Sequence, residues 1–278
     1  MLRHLHALSL AFVLTSPLSA GIVFEIETRD HEYSPARIER TTVYAEGLSL
    51  KMESTDGQRG NSDAMIFHGD RREMVVVDHE RKSYMVIDRQ FAANMAGQLN
   101  QMAGAVKGML DNVSPEQRGV SPEQRGMLEQ LATGRGPRTL QQARPTLQVS
   151  NTGQQGQVYG YPCLLFTVTR DGRKVRDVWV THWNNINGGR ELAATFDSMS
   201  EFVQEITSAF PVQTDAPMED NAFATMKQMG GFPVATREYR ADGRVESESA
   251  LRSAQRQRVN LAELRPPSGY QPESMFSD

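Results

Sequence analysis

The chain has 278 residues, a formal net charge of −4 and charged side chains spread without a basic block, so it lacks the positive face that nucleic acid or an anionic lipid surface would require. Its single cysteine, Cys163, excludes an intramolecular disulfide and with it the class of small stapled secreted domains. The length suits one β-rich domain.

The first twenty residues read as a secretory signal. Arg3 is the positive n-region, Leu8 to Leu14 is a short apolar run, and Pro17 precedes a small-residue cut at Ser19-Ala20 that leaves Gly21 as the new N-terminus. Leu18 is large for the position three before the cut. The apolar run is far short of the roughly 18 residues that cross a bilayer, so no transmembrane segment is expected in the mature chain. Periplasmic localisation follows.

Gly21 to Thr28 alternates Ile22, Phe24 and Ile26 against Val23, Glu25 and Glu27, the period of a half-buried strand. Arg37 to Ala45 and Leu48 to Glu53 predict two more strands, and Asp56-Gly57 opens a longer turn. From Ala64 to Asp88 three short apolar runs, with β-branched Val75, Val76, Val77 and Ile87, are separated by polar turns, which predicts a meander and completes six antiparallel strands.

The period then changes. Ala92, Met95, Leu99, Met102, Val106, Met109 and Val113 are spaced alternately three and four apart, one stripe of a helix. A methionine stripe adapts to varied apolar ligands; packing on the protein's own sheet is the commoner use of the same pattern. Val113 to Gly119 (VSPEQRG) is repeated at once as Val120 to Gly126. Each copy carries a helix-start signal, and the second predicts a helix from Pro122 to Thr133. The breaker-rich 134–145 reads as a linker.

A strand over Thr146 to Ser150 and a long hairpin follow, with arms Val158 to Arg170 and Arg173 to His182 around Asp171-Gly172, a pair favoured in two-residue type I′ turns. Cys163 reads as a small buried residue of this hairpin. Glu191 to Phe210 and Asn221 to Met229 predict helices, the second capped by Gly230. A last hairpin, Phe232 to Ala241 and Arg244 to Leu251, turns on Asp242-Gly243. Its arginines alternate with Glu238, Glu246 and Glu248, so a solvated, ion-paired strand face is expected.

No HExxH, GxSxG, GxxxxGK[ST] or GxGxxG motif occurs. The four histidines beyond the signal, His31, His68, His79 and His182, have no metal-ligand spacing. Neither an enzyme, a cofactor nor a metal is expected.

Three stretches resemble, in this order, a family of uncharacterised bacterial envelope proteins that share the half-barrel fold of the periplasmic lipoprotein carriers (LolA-like). They are GDRREMVVVDHERKSYMVID at 69–88, VYGYPCLLFTVTRDGRKVRDVWVT at 158–181, and GGFPVATREYRADGRVESESAL at 230–251 with the closing LRPPSGYQP. The resemblance implies an α+β fold over 21–278, an antiparallel half-barrel curled around helices, here with a Met-rich helical insert over 91–134. It implies a cavity for an apolar ligand, a lipid or lipidated protein, and no functional residue transfers. Met95, Leu99, Met102, Val106, Met109, Trp179 and Phe196 are the expected lining. The alternative is an interaction module that offers the methionine stripe to an envelope protein partner.

Overall fold

A computed structural model describes residues 21–56, 60–112, 147–208 and 222–273. The signal, Val113 with both VSPEQRG copies, the helix expected over 122–133 and the linker lie outside the described residues.

Six strands come first, β1 (Gly21–Asp30), β2 (Arg37–Glu46), β3 (Ser49–Asp56), β4 (Gly60–His68), β5 (Glu73–Asp78) and β6 (Ser83–Ile87). Helix α1 (Arg89–Asn112) follows. Then come β7 (Leu147–Val158), β8 (Tyr161–Arg170), β9 (Arg173–His182), α2 (Gly189–Ser208), α3 (Ala222–Met229), β10 (Gly231–Tyr239), β11 (Val245–Gln257) and β12 (Gln271–Pro272). All twelve strands form one open sheet in the order β12-β6-β5-β4-β3-β2-β1-β11-β10-β9-β8-β7. Every pairing is antiparallel except β12 on β6, which is parallel. That last strand has no counterpart among the expected elements, because two residues, one of them a proline, carry no strand pattern of their own.

Asp171 and Gly172 both take positive φ, 52° and 77°, as the expected type I′ turn requires. Tyr159 and Gly160 do the same, at 48° and 85°, with Val158 paired to Tyr161. Val158 to Arg170 is therefore two strands rather than one. A tyrosine is a rare left-handed residue and gives no turn signal. The polar residues 151–157, which lie outside the strands expected from sequence, are part of β7, an edge strand whose middle, 150–155, is exposed throughout and so without alternation.

Registers align one apolar row across six strands: Ile22, Ala45, Leu50, Phe67, Met74 and Ile87. Helix α2 lays Leu192, Phe196, Met199, Phe202 and Ile206 on this face, and Phe67 meets Phe202 at 5.6 Å between ring centroids. Each such burial is worth roughly 1.5–3 kcal/mol. A second row is Phe24, Val43, Met52, Met65, Val76 and Met85. Phe24 and Val43 are sealed, whereas the other four are half-buried.

On the opposite face Ala64, Ile66, Val75 and Val77 form a separate cluster. The C-terminal segment crosses this side. Val259 lies where a side chain on Gly21 would have to be, Glu263 reaches the buried Lys51 at 3.5 Å, Tyr270 is hydrogen-bonded to His79 at 2.9 Å, and β12 covers the edge of β6.

Candidate functional site

Accessible apolar regions lie on both faces of the sheet. The first lies on the α2 side, where the half-buried second row ends on β6 and α1 runs beside that strand. Asp88 caps that helix by accepting from the Phe91 backbone N–H at 2.8 Å. Glu205 of α2 binds both Arg89 and Arg72, holding α1 beside β6 and α2. Ala92 is buried, Met95 and Leu99 are half-buried, and Met102 is 66% exposed. Val106 and Met109 belong to the helix, but their side chains lie outside the described residues.

The second region is built by β1 and β7 to β11. On β1, Ile26 packs on the core while Glu27 and Arg29 point to the other face. The ladders extend these two positions into rows. One runs Glu27, Ala250, Ala235, Trp179, Leu165; the next runs Arg29, Glu248, Arg237, Asp177, Thr167. Two alanines between larger side chains leave a hollow beside the indole. Bulges shape its ends: Val234 is the extra residue of β10 and Arg252 that of β11.

Tyr159, on the β7–β8 turn, roofs one side. Its ring centroid is 5.3 Å from the Arg252 guanidinium. Strands β7 and β11 have three others between them, about 19 Å in a flat sheet, so this part of the sheet bends to bring the two together. The result is a cleft of about 660 Å³. Gly156 lies against the indole of Trp179, where a Cβ would come within 3.1 Å of the ring.

The cleft's charges are organised. Glu27 accepts from Arg252 at 2.8 Å and Arg29 at 3.3 Å, with Arg40 at 3.6 Å. The Arg252 hydrogen bond, opposed by burial and reinforced by both arginines' charge, holds the Glu27 carboxyl below its ordinary range. Burial would raise Asp177, but hydrogen bonds from Lys174, Tyr239 and Thr167 outweigh it and lower the carboxyl. Arg237 lowers Glu248, against burial and with help from His31.

Of the lining expected from sequence, Trp179 lines this cleft while also packing against the core cluster, and Phe196 lies in that core beneath α2, 8% exposed beside Trp183. Helix α1 contacts β6 and α2, at the other end of the sheet from β9, so the stripe and Trp179 fall in separate regions. Glu27, Arg252 and Tyr159 are site residues that sequence reasoning misses. The interleaved charges of the last hairpin were the available signal, and Arg237, Arg240 and Arg244 do carry acidic partners.

The histidines remain apart: His31 meets Glu248, His68 meets Ser49, His79 meets Tyr270 and His182 caps the turn at Asn184. Among the described residues no group of three metal-binding side chains occurs, and no helix is long and apolar enough to cross a membrane. Cys163 is buried, and burial pushes its thiol up, away from reactivity.

A family model described as "Domain of unknown function (DUF4412)" matches residues 89–270. No curated protein matches the chain. Among solved structures, the chain is similar to an uncharacterized conserved protein from Thermus thermophilus, at 7% identity over 92% of this chain and 91% of that one, with a TM-score of 0.43. It is similar to the Pseudomonas aeruginosa MucA/MucB complex structure at 8% identity, covering 90% of this chain and 57% of that one, TM-score 0.34. A LolA superfamily protein from Nitrosomonas europaea shares 10% identity over 89% of this chain and 90% of its own, TM-score 0.27.

Proposed function

Since this chain belongs to the family defined by that domain of unknown function (DUF4412), its role has to be argued from its own geometry, and we propose that it is a non-enzymatic periplasmic binding protein. In this reading the sheet acts as a half-barrel, and its α2 side receives an apolar ligand: a lipid, an acyl chain or the lipid of a modified protein. One observation carries it. The first apolar row is sealed beside α2 from Ile22 to Phe67 but half-buried at Met74 and Ile87, and Met52, Met65, Val76 and Met85 of the second are half-buried on the same face. Methionine is unbranched and polarizable, and such a surface adapts to ligands of differing shape. Met95 and Leu99 flank it, and Met102, Val106 and Met109 continue the stripe along α1.

Native mass spectrometry of protein purified under mild conditions tests this. A bound mass removed by organic solvent is expected; a bare protein that also fails to take up a fluorescent fatty acid overturns the reading.

The exposure of Met102 favours a second reading, in which α1 docks on an envelope protein partner. Deleting 91–134 separates the two. A docking arm leaves a folded, soluble remainder, whereas a helix that lines a ligand site leaves one that aggregates.

A further inference from the structure

We propose that the cleft beneath the β7–β8 turn is a second binding site, on the sheet face away from the core row of β1, and that it takes a small amphipathic anion. The head, a carboxylate or phosphate, pairs with Arg29 and Arg252; the apolar body lies on Ala235, Ala250 and Trp179.

The charge arrangement leads to this. Three carboxylates line the cleft, and two have local partners: Asp177 accepts from Lys174, Thr167 and Tyr239, while Glu248 holds Arg237 and His31. Glu27 alone serves Arg29, Arg40 and Arg252. Around Glu27 the arginines therefore exceed the carboxylate by two, Arg40 among them from outside the cleft, while the lining itself holds three arginines against three carboxylates. Glu27 is recessed, its side chain 11% exposed, whereas Arg29, Arg40 and Arg252 are 52%, 71% and 37% exposed. The donors left after Glu27 face solvent, where an anion can reach them, and guanidinium forks match carboxylate and phosphate oxygens.

Shape adds the second half of the argument. Tyr159 steadies Arg252 through its ring face. Next to that arginine the ladder places the two alanines and then Trp179, so a ligand anchored at the bulge has an apolar strip ahead of it, flanked by the ion-paired row of Glu248, Arg237 and Asp177. A volume of about 660 Å³ lies within the usual range for small-molecule sites, roughly 300–1,000 Å³.

Trp183→Phe leaves Trp179 as the only indole and provides the readout. Octyl phosphate, octanoate, octanol and inorganic phosphate are titrated against its emission. A saturable change is expected with octyl phosphate or octanoate, and the tighter of the two identifies the head group. Arg29→Ala and Arg252→Ala should each weaken it at least tenfold with the far-ultraviolet circular dichroism unchanged. If Arg252→Ala does not fold, Arg252→Gln takes its place with the same expected loss. Octanol binding as tightly as the anions, inorganic phosphate binding as tightly as octyl phosphate, or no saturation with any probe overturns the site. Met65→Asp, on the α2 side, should leave the titration unaltered; if it abolishes the signal, the two regions are one site and the inference falls.

Discussion

The two ends of the sheet share one ladder geometry but use it oppositely. In β1 to β6 the rows facing α2 are apolar across all six strands, and their order comes from packing: Leu50, Phe67 and Phe202 are sealed between sheet and helix. In β1 and β7 to β11, rows on the other face alternate alanine and tryptophan with ion pairs, and bulges at Val234 and Arg252 set the curvature. Packing tolerates pH and salt but not lost volume. Ion pairs tolerate volume changes but not a missing partner.

The largest effect should come from Phe202→Ala, which opens a cavity beneath α2 and should cost about 3–5 kcal/mol. Denaturant unfolding measures it, and a loss below about 1 kcal/mol would mean that the helix is not what seals the first row. Next is Glu27→Gln, which leaves three arginines without their carboxylate. About 1–2 kcal/mol is expected, at the low end for charged hydrogen bonds because the arginines are solvated.

The same contrast makes a pH prediction. Glu27, Asp177 and Glu248 are all lowered in the folded state. Above the ordinary unfolded carboxylate values, near pH 4, their contribution is fully present. As pH falls below that, the unfolded chain binds protons first, and stability is lost as pH drops through the folded values. Amide exchange at pH 3 against pH 7 should therefore open β9 to β11 before β2 to β5; uniform opening would contradict the contrast.

Tyr159→Ala, removing one half-solvated ring from a guanidinium, should cost about 0.5–1 kcal/mol. Arg244→Ala sits at the small end. Its side chain is 82% exposed and pairs across its own turn with Asp242, so thermal unfolding should move by no more than about 0.5 kcal/mol.

Local chemistry carried most of the readable signal. The two-residue turn at Asp171-Gly172, the glycine cap at Gly230 and the alternation of Ile22, Phe24 and Ile26 each act within a few residues, so the sequence displays them directly. The stripe on α1 was equally visible as a helix. Its period says which residues share a face but not what that face meets, and the sheet separated it from Trp179. The Glu27 cluster joins β1 to Arg252 across 225 residues, a register that no local pattern encodes. The turn at Tyr159-Gly160 was hidden for another reason: the conformation there is imposed by pairing, against the preference of the tyrosine.

The C-terminal segment has a consequence in time. A chain emerging N-terminus first presents β1 to β6 early, with Ile66 and Val75 on one face and an unpaired edge at β6. Both are covered only when Tyr270 and β12 arrive, and β1 waits nearly as long for β11. Until then the early hairpins are sticky along an edge and a face, the condition in which strands pair with the wrong neighbour. Completion of the early sheet thus waits for Tyr270 and β12, the last of its coverings in chain order.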